Sequence, residues 1–287
     1  MRRMTAVLRP LLGAACASAA LLAVAAAQTP TAAHDTFPAV ALPGTQLRQL
    51  TSAATGRSYD IYVSTPPDYA RSPAARYPVL YVLDGQWDFK LLLSIQGGLF
   101  YDRFTPPIII VGITYSGANA NYDSLRATDL TPVTARQFPG SGAGPRFLSF
   151  VRDQLIPFIE SNYRADRTRR VLMGSSFGGL FTLYAMLSDP TLFWGYVAAS
   201  PAVSYASRAV FDQEAAYAAE HQELRARLFI SVGSLEALAA PVQDLMGVVQ
   251  RRSYTGLTLQ TRVIEGERHS GNKPEAFNRG LRFIFGN

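Results

Sequence analysis

The chain has 287 residues and a formal net charge of +6, and 48% of its residues are hydrophobic. Its basic residues are mostly scattered arginines, and lysine occurs only at Lys90 and Lys273. This distribution does not indicate a nucleic-acid-binding surface, although a mild preference for anionic substrates fits it. The one cysteine, Cys16, excludes an internal disulfide and a site built from several cysteine ligands.

The first 27 residues have the features of a secretory signal peptide. A basic start precedes an apolar run over 8–26, and small residues lead up to Ala27. We predict cleavage after Ala27 and a periplasmic or secreted location. An uncleaved membrane anchor is the alternative, but the run is alanine-rich and weakly hydrophobic for a permanent span. Cleavage would remove Cys16 and three arginines, which lowers the net charge from +6 to about +3.

Residues 28–43 are rich in Ala, Thr and Pro and predict a poorly ordered lead-in, followed by one domain over 44–287. Strand and helix patterns alternate along that domain, which predicts a mostly parallel sheet with helices on both faces. The predicted strands are 46–51, 58–64, 78–84, 107–113, the run ending at Gly174, 194–199, 228–232 and 257–264. The predicted helices are 88–93, 146–163, 177–187, 211–223, 242–251 and 275–284.

Residues 115–145 are rich in Gly, Ser, Asn, Thr and Pro. We expect a long loop there, and a loop of that length inside a compact domain is usually functional, often an active-site lid.

The pentapeptide Gly174-Ser-Ser-Phe-Gly178 lies between an apolar run and a helical pattern. A G-x-S-x-G sequence in this context predicts a nucleophile elbow, a tight strand-to-helix turn that exposes one serine hydroxyl. The two glycines leave room for a turn in which Cβ atoms would clash. Ser176 is therefore the predicted nucleophile; a structural Gly-Ser turn is the alternative.

A serine hydroxyl needs a neighbouring imidazole to take its proton. Of the three histidines, His34 lies in the lead-in and His221 in a polar helical pattern. His269 lies on a turn-rich loop after the last predicted strand, where α/β hydrolases carry their general base. His269 is therefore the predicted base.

The residue that orients the histidine is expected after the strand that precedes the histidine's own strand. Glu236 follows that strand closely, and Asp244 comes eight residues later within a helical pattern. We favour Glu236, keep Asp244 as the second choice, and leave open a serine–histidine dyad without an acid.

An oxyanion hole requires backbone N–H groups that point at the developing negative charge. The residue after the nucleophile, Phe177, is one predicted donor, and Gln86, after the strand that ends in Asp84-Gly85, is the other. Asp84 is expected to fix that loop.

Several segments resemble the esterase branch of the α/β-hydrolase superfamily, the group that includes enterochelin and salmochelin esterases. More distant similarity extends to S-formylglutathione hydrolases, feruloyl esterases and mycolyltransferases. The matching segments are Tyr77-Pro-Val-Leu-Tyr-Val-Leu-Asp-Gly85, 105–113, 126–132, 150–160, 174–179, 199–201 and 266–269. The resemblance implies an α/β-hydrolase fold and supports Ser176 and His269, and it supports an acid less strongly.

Ferri-siderophore trilactones are the most specific substrate class that the resemblance implies. Ser175 stands where the group commonly has histidine, which weakens the transfer of substrate identity. Arg126 is expected either to face an anionic substrate or to pair with Asp129, and Trp87 and Tyr115 are candidates for lining the substrate pocket.

Feruloyl or other acyl ester hydrolysis, acyl transfer and a non-catalytic binding protein are the alternative functions. A small-molecule ester is the expected partner, with no cofactor or metal, and the oligomeric state stays open.

Overall fold

A computed structural model describes residues 41–286, and the residues from Leu42 onward form one compact unit. The predicted signal peptide, most of the predicted lead-in, Cys16 and His34 lie outside the described residues. Within residues 41–286, no helix is both long and apolar enough to cross a bilayer.

Eight strands alternate with helices along the described chain. The strands are β1 (Thr45–Thr51), β2 (Ser58–Ser64), β3 (Tyr77–Val82), β4 (Ile109–Tyr115), β5 (Ala165–Ser175), β6 (Gly195–Ala199), β7 (Glu223–Gly233) and β8 (Thr255–Ile264). The helices are α1 (Gly85–Tyr101), α2 (Tyr122–Asp129), α3 (Gly144–Phe150), α4 (Ile156–Asn162), α5 (Phe177–Ser188), α6 (Tyr205–Glu220), α7 (Ala239–Arg252) and α8 (Lys273–Phe285). A π-helical turn, Val151–Leu155, joins α3 to α4.

All eight strands form one sheet in the order β1-β2-β4-β3-β5-β6-β7-β8. Strand β2 pairs antiparallel with both β1 and β4, and every other neighbouring pair is parallel. This is the mostly parallel sheet predicted from the alternating pattern, and the predicted α/β-hydrolase fold is confirmed.

The central strands are buried on both faces. In β3, Leu80 and Val82 belong to the apolar cluster with α1 and α8, whereas Val79 and Tyr81 belong to the cluster on the opposite face, with α3 to α7. Successive residues of a strand point to opposite faces, so a strand covered on both sides reads as a continuous apolar run. This explains why β3, β4 and β5 were recognisable in the sequence.

The carboxyl ends of the parallel strands lie together at one edge of the sheet. The loops that follow β3, β5, β6, β7 and β8 all leave from the carboxyl end of parallel strands, and they therefore meet at one edge. Open parallel sheets bind their ligands at this edge.

The segment 115–145 differs from the expected structureless loop, because it contains α2. Asn121 caps this helix by accepting a hydrogen bond from the backbone N–H of Ser124 at 3.1 Å. Asp129 is its one buried residue, so the helix carries no apolar periodicity in the sequence. The loop after α2 is held by side-chain contacts: the Tyr205 hydroxyl donates to the Val133 carbonyl oxygen (2.8 Å), and its oxygen lies 2.7 Å from that of the Ser141 hydroxyl.

Two other boundaries differ from the predictions. Helix α1 runs on to Tyr101, well beyond the predicted 88–93. Helix α6 ends at Glu220, and β7 already begins at Glu223, where a helix was expected. The first half of β7 alternates exposed and buried residues, a pattern too short to separate from a polar helix end by sequence.

A buried carboxylate fixes α2 to the sheet. Asp129 is fully buried and accepts hydrogen bonds from Arg57 Nη1 on Oδ1 (2.6 Å) and from the Tyr59 hydroxyl on Oδ2 (2.7 Å). Burial raises the pKa of the Asp129 carboxyl, and the Tyr59 and Arg57 contacts oppose that rise. The position of α2, which carries Arg126, therefore depends on this network.

We expect Tyr59→Phe to lower the free energy of unfolding by about 1.5–3 kcal/mol, the usual value of a hydrogen bond to a charged group. Loss of the hydroxyl would raise the Asp129 pKa further, so the destabilisation is largest at neutral pH and decreases as the carboxyl becomes protonated in acid. Urea denaturation at several pH values measures both effects.

Tyr62→Phe is the matched control, because Tyr62 lies on the same strand and its hydroxyl bonds no residue within 41–286. Equal losses in the two variants would show that the Asp129 bond does not stabilise the fold.

Candidate active site

The predicted elbow is a tight turn between β5 and α5. Ser176 has φ +61° and ψ −118°, a conformation that a residue with a side chain rarely adopts. A Cβ atom placed on Gly174 would lie 2.4 Å from the carbonyl carbon of Gly178. Only glycine therefore fits at position 174 while the turn keeps this shape.

The backbone of Ser176 is held by the segment after β6. Its N–H donates to the carbonyl oxygen of Ala199 at 3.0 Å, and its own carbonyl oxygen accepts from the N–H of Ala202 at 3.0 Å. The Ser176 hydroxyl makes no hydrogen bond to any residue in 41–286, His269 included. Bonds between a nucleophile and its base are often long without substrate and shorten when it binds.

His269 and Glu236 form a close pair. The distance from His269 Nδ1 to Glu236 Oε2 is 2.6 Å. The glutamate side chain is 2% exposed, whereas the imidazole is 43% exposed. An ionised carboxylate only accepts hydrogen bonds, so Nδ1 carries the proton and Nε2 is left to accept one. This is the arrangement that a general base requires.

The second carboxylate oxygen of Glu236 is held by three donors. Oε1 accepts from the Ser200 hydroxyl at 2.6 Å, from the backbone N–H of Gly233 at 2.7 Å and from Asn272 Nδ2 at 2.7 Å. The sequence predicted no role for either residue: Asn272 belongs to no matching segment, and Ser200 lies in the segment 199–201 that only supported the resemblance. Their proximity to Glu236 follows from the strand order alone.

The alternative acid and base lie elsewhere. Asp244 pairs with Arg208 at 3.1 Å on the exposed surface of α7. The His221 ring stacks on Tyr217 at 4.4 Å, at the end of α6. The structure thus brings Glu236, and not Asp244, to His269.

The two predicted oxyanion donors lie at helix N-termini. Phe177 is the first residue of α5 and Gln86 the second of α1. The first N–H groups of a helix have no acceptor within that helix and are available to an anion. A Cβ on Gly178 would lie 3.3 Å from Asp84 Oδ2, so the two helix starts are close together. The Gln86 side chain accepts from the Thr114 hydroxyl at 2.7 Å, which fixes the start of α1 to β4.

Arg126 pairs with Asp84 and not, as one expectation had it, with Asp129. Its Nε and Nη2 donate to the two carboxylate oxygens of Asp84 at 2.9 and 2.7 Å. Burial alone would lower the pKa of Arg126, but the hydrogen bonds and charge of Asp84 raise it overall. The guanidinium charge is thus largely neutralised by Asp84, which limits its attraction for an anionic substrate. Asp84 fixes its loop through this pair, as expected.

Aromatic side chains surround the elbow. Trp87 is 41% and Phe138 is 40% exposed, and the Phe138 ring meets the Phe177 ring edge-on at 5.3 Å. The guanidinium carbon of Arg126 lies 5.6 Å from the Trp87 ring and 5.3 Å from the Phe177 ring. Tyr115, in contrast, is 6% exposed, and burial raises its pKa, so it offers a substrate little surface.

Within the described part of the chain, no group of three or more His, Cys, Asp or Glu side chains is arranged to hold a metal ion.

Comparison with known proteins identifies the family. A family model described as "Putative esterase" matches residues 52–280. The chain belongs to this esterase family. It is therefore a carboxylic ester hydrolase by family, and the resemblance inferred from the sequence is confirmed.

Named relatives of the esterase include siderophore esterases. The ferri-bacillibactin esterase of Bacillus subtilis is 29% identical over 268 residues, which cover 85% of this chain and 91% of that protein. The apo-salmochelin esterase of Escherichia coli is 33% identical over 162 residues, 51% of this chain and 48% of that protein. The crystal structure of the BES protein from Bacillus cereus matches with a TM-score of 0.78 at 28% identity, covering 86% of this chain and 97% of that chain.

An IroE-like serine hydrolase from Shewanella oneidensis has a TM-score of 0.74 at 25% identity, covering 84% of this chain and 80% of that chain. Both structural matches therefore extend over most of this chain.

We expect Arg126→Leu to lower the free energy of unfolding by about 3–5 kcal/mol, because it leaves the carboxylate of Asp84 buried without a partner. The double variant Asp84→Asn/Arg126→Leu removes that charge and should recover most of the loss. Urea denaturation of the single and double variants measures the difference.

Arg152→Leu is the control, because its pair with Asp153 is exposed and should change stability by at most about 1 kcal/mol. A double variant as unstable as Arg126→Leu would mean that charge burial is not the cause.

Proposed function

We propose that the esterase is a serine hydrolase in which Ser176 is the nucleophile, His269 the general base and Glu236 the residue that orients His269. The observation that carries this proposal is the 2.6 Å bond between His269 Nδ1 and the buried Glu236, at the same sheet edge as the strained turn at Ser176. Strained backbone conformations cluster at functional sites, so the positive φ of Ser176 supports a functional role for this serine.

The proposed reaction has two halves. Ser176 Oγ attacks the ester carbonyl carbon while His269 Nε2 takes the hydroxyl proton, and Glu236 stabilises the imidazolium that forms. The N–H groups of Phe177 and Gln86 donate to the oxyanion. Collapse of the intermediate breaks the ester C–O bond, the leaving alcohol takes the proton from His269, and an acyl-enzyme remains.

Water completes the cycle. His269 removes a proton from a water molecule that attacks the acyl carbon, and the released Ser176 oxygen takes that proton back. An alcohol in place of water would give acyl transfer with the same residues, so hydrolysis and transfer differ only in what reaches the acyl-enzyme.

For the substrate, we propose the trilactone esters of ferri-siderophores. The name of one relative, ferri-bacillibactin esterase, supports a ferri-siderophore, and that of another, apo-salmochelin esterase, supports a siderophore ester. The exposed Trp87 and Phe138 beside the elbow suit a substrate that carries flat aromatic groups. Feruloyl esters, which also carry an aromatic group, are the second candidate on the same observation.

For the location, we propose the periplasm or the exterior of the cell. The support is the basic start, apolar run and small-residue site of the first 27 residues. N-terminal sequencing of the protein recovered from periplasmic and culture fractions tests this, and a retained Met1 in the cytoplasmic fraction alone would contradict it.

We expect a fluorophosphonate probe to label Ser176, because only an activated serine reacts with it at a useful rate. Mass spectrometry of the peptide that contains Ser176 locates the adduct. Labelling should disappear in Ser176→Ala and fall by at least about 100-fold in His269→Ala, since general-base catalysis contributes about 10²–10⁴-fold.

His221→Ala is the matched control and should label as the unaltered protein does. Absence of an adduct on Ser176, under conditions in which a control esterase reacts, would favour a binding protein with the hydrolase fold.

We expect Trp87→Ala to raise KM for a ferric triscatecholate trilactone about 2- to 12-fold and to leave kcat nearly unchanged, because loss of an aromatic contact removes about 0.5–1.5 kcal/mol of binding. Tyr101→Ala, at the other end of α1, is the control, since Tyr101 is 86% exposed. Kinetics with the trilactone, with methyl ferulate and with p-nitrophenyl acetate are compared. A protein that hydrolyses only the ferulate would exclude the siderophore substrate.

A further inference from the structure

Two buried polar side chains that the reaction does not use lie between the three catalytic loops. Ser200 follows β6, and Asn272 immediately precedes α8. Both residues are fully buried. A buried polar side chain is costly unless it is hydrogen-bonded, so the partners of these two residues indicate why they are there.

The side chains of Ser200 and Asn272 both bind the same carboxylate oxygen of Glu236. The Ser200 hydroxyl and Asn272 Nδ2 each donate to Oε1, and Asn272 Nδ2 also lies 2.9 Å from the Ser200 hydroxyl oxygen. With Oε1 fixed in this way, the carboxylate cannot rotate, and Oε2 stays directed at His269.

Asn272 holds the loop of the base as well. Its Nδ2 lies 2.9 Å from the carbonyl oxygen of His269 and 3.2 Å from that of Arg268. Its Oδ1 is buried and has no hydrogen-bond partner among the described residues. A flipped amide would turn Oδ1 toward the negative charge of Glu236. The side chain thus donates to the acid and to the backbone of the base while its own acceptor stays unsatisfied, which is unfavourable for stability alone.

Ser200 connects the acid to the nucleophile. Its φ of +42° is rare for a residue with a side chain. The neighbouring residues Ala199 and Ala202 form two of the backbone hydrogen bonds of Ser176. One four-residue segment, 199–202, therefore binds the nucleophile through its backbone and the acid through the Ser200 hydroxyl.

From these contacts, we propose that Ser200 and Asn272 are positioning residues that hold Glu236, and through it His269, in register with Ser176. Neither residue touches the reacting atoms. The inference rests on the proposed serine mechanism, and it assigns a role to two residues for which the sequence predicted none.

Ser200→Gly and Asn272→Leu test the inference. Glycine keeps the left-handed backbone and removes only the hydroxyl, and leucine is close to asparagine in size but cannot donate. The measurements are the rate of fluorophosphonate labelling of Ser176 and kcat and KM for p-nitrophenyl acetate, each as a function of pH. Melting temperature is recorded for every variant, and Asn272→Ser replaces Asn272→Leu if the leucine variant does not fold.

We expect kcat and the labelling rate to fall about 10- to 100-fold in each variant, the effect of losing one hydrogen bond to a charged group, with KM unchanged. Ser253→Gly, another serine with positive φ but exposed at the end of α7, and Asn162→Leu, at the exposed end of α4, should leave all three quantities unchanged.

A lower melting temperature with unchanged kcat and an unchanged pH–rate profile would show that the two residues only stabilise the fold, and would overturn the inference. Normal labelling in both variants would overturn it too, while the serine mechanism stands. Failure of the unaltered protein to label at Ser176 would reject the proposed mechanism itself, and the inference with it.

Discussion

The contact between Gly174 and Gly178 is the constraint on which the site depends. Because a Cβ on Gly174 would lie 2.4 Å from the Gly178 carbonyl carbon, the backbone can turn from β5 into α5 within two residues. That turn forces Ser176 into a positive-φ conformation and places the N–H of Phe177 at the start of a helix. The absence of a side chain on Gly178 also lets Asp84 approach to 3.3 Å of where a Cβ would be. The geometry of the proposed nucleophile and that of the proposed oxyanion hole thus have one common origin.

Two buried carboxylates determine the electrostatics around this turn, and each has a specific partner. Asp84 is paired with Arg126 in a two-point contact, which connects the loop after β3 to α2. Glu236 accepts four hydrogen bonds, one of them with the partly exposed His269. An unpaired buried charge would cost several kcal/mol, so these pairings oblige the loops to adopt one arrangement. Of the four side chains in these two pairs, only the imidazole has substantial exposure, as its proposed role as general base requires.

The sequence identified the residues whose roles follow from local patterns. Gly174, Ser176 and Gly178 were recognisable because their spacing between a strand and a helix is itself the signal. The buried strands were recognisable because residues covered on both faces are continuously apolar. Helix α2 was missed because its eight residues bury only Asp129, and the extent of α1 was underestimated because helix ends carry little apolar pattern. Chain order suggested Glu236 and left Asp244 open.

The sequence by itself therefore determined the fold class, the strand-turn-helix at Ser176 and the short list of histidines and acids. The tertiary structure alone decided that Glu236 meets His269, that Arg126 pairs with Asp84, and that Ser200 and Asn272 share one oxygen of Glu236. A pattern in the sequence spans a few residues and indicates only which face of one helix or strand is apolar. These contacts join side chains 33 to 42 positions apart, and their distances depend on the order and register of strands in the sheet.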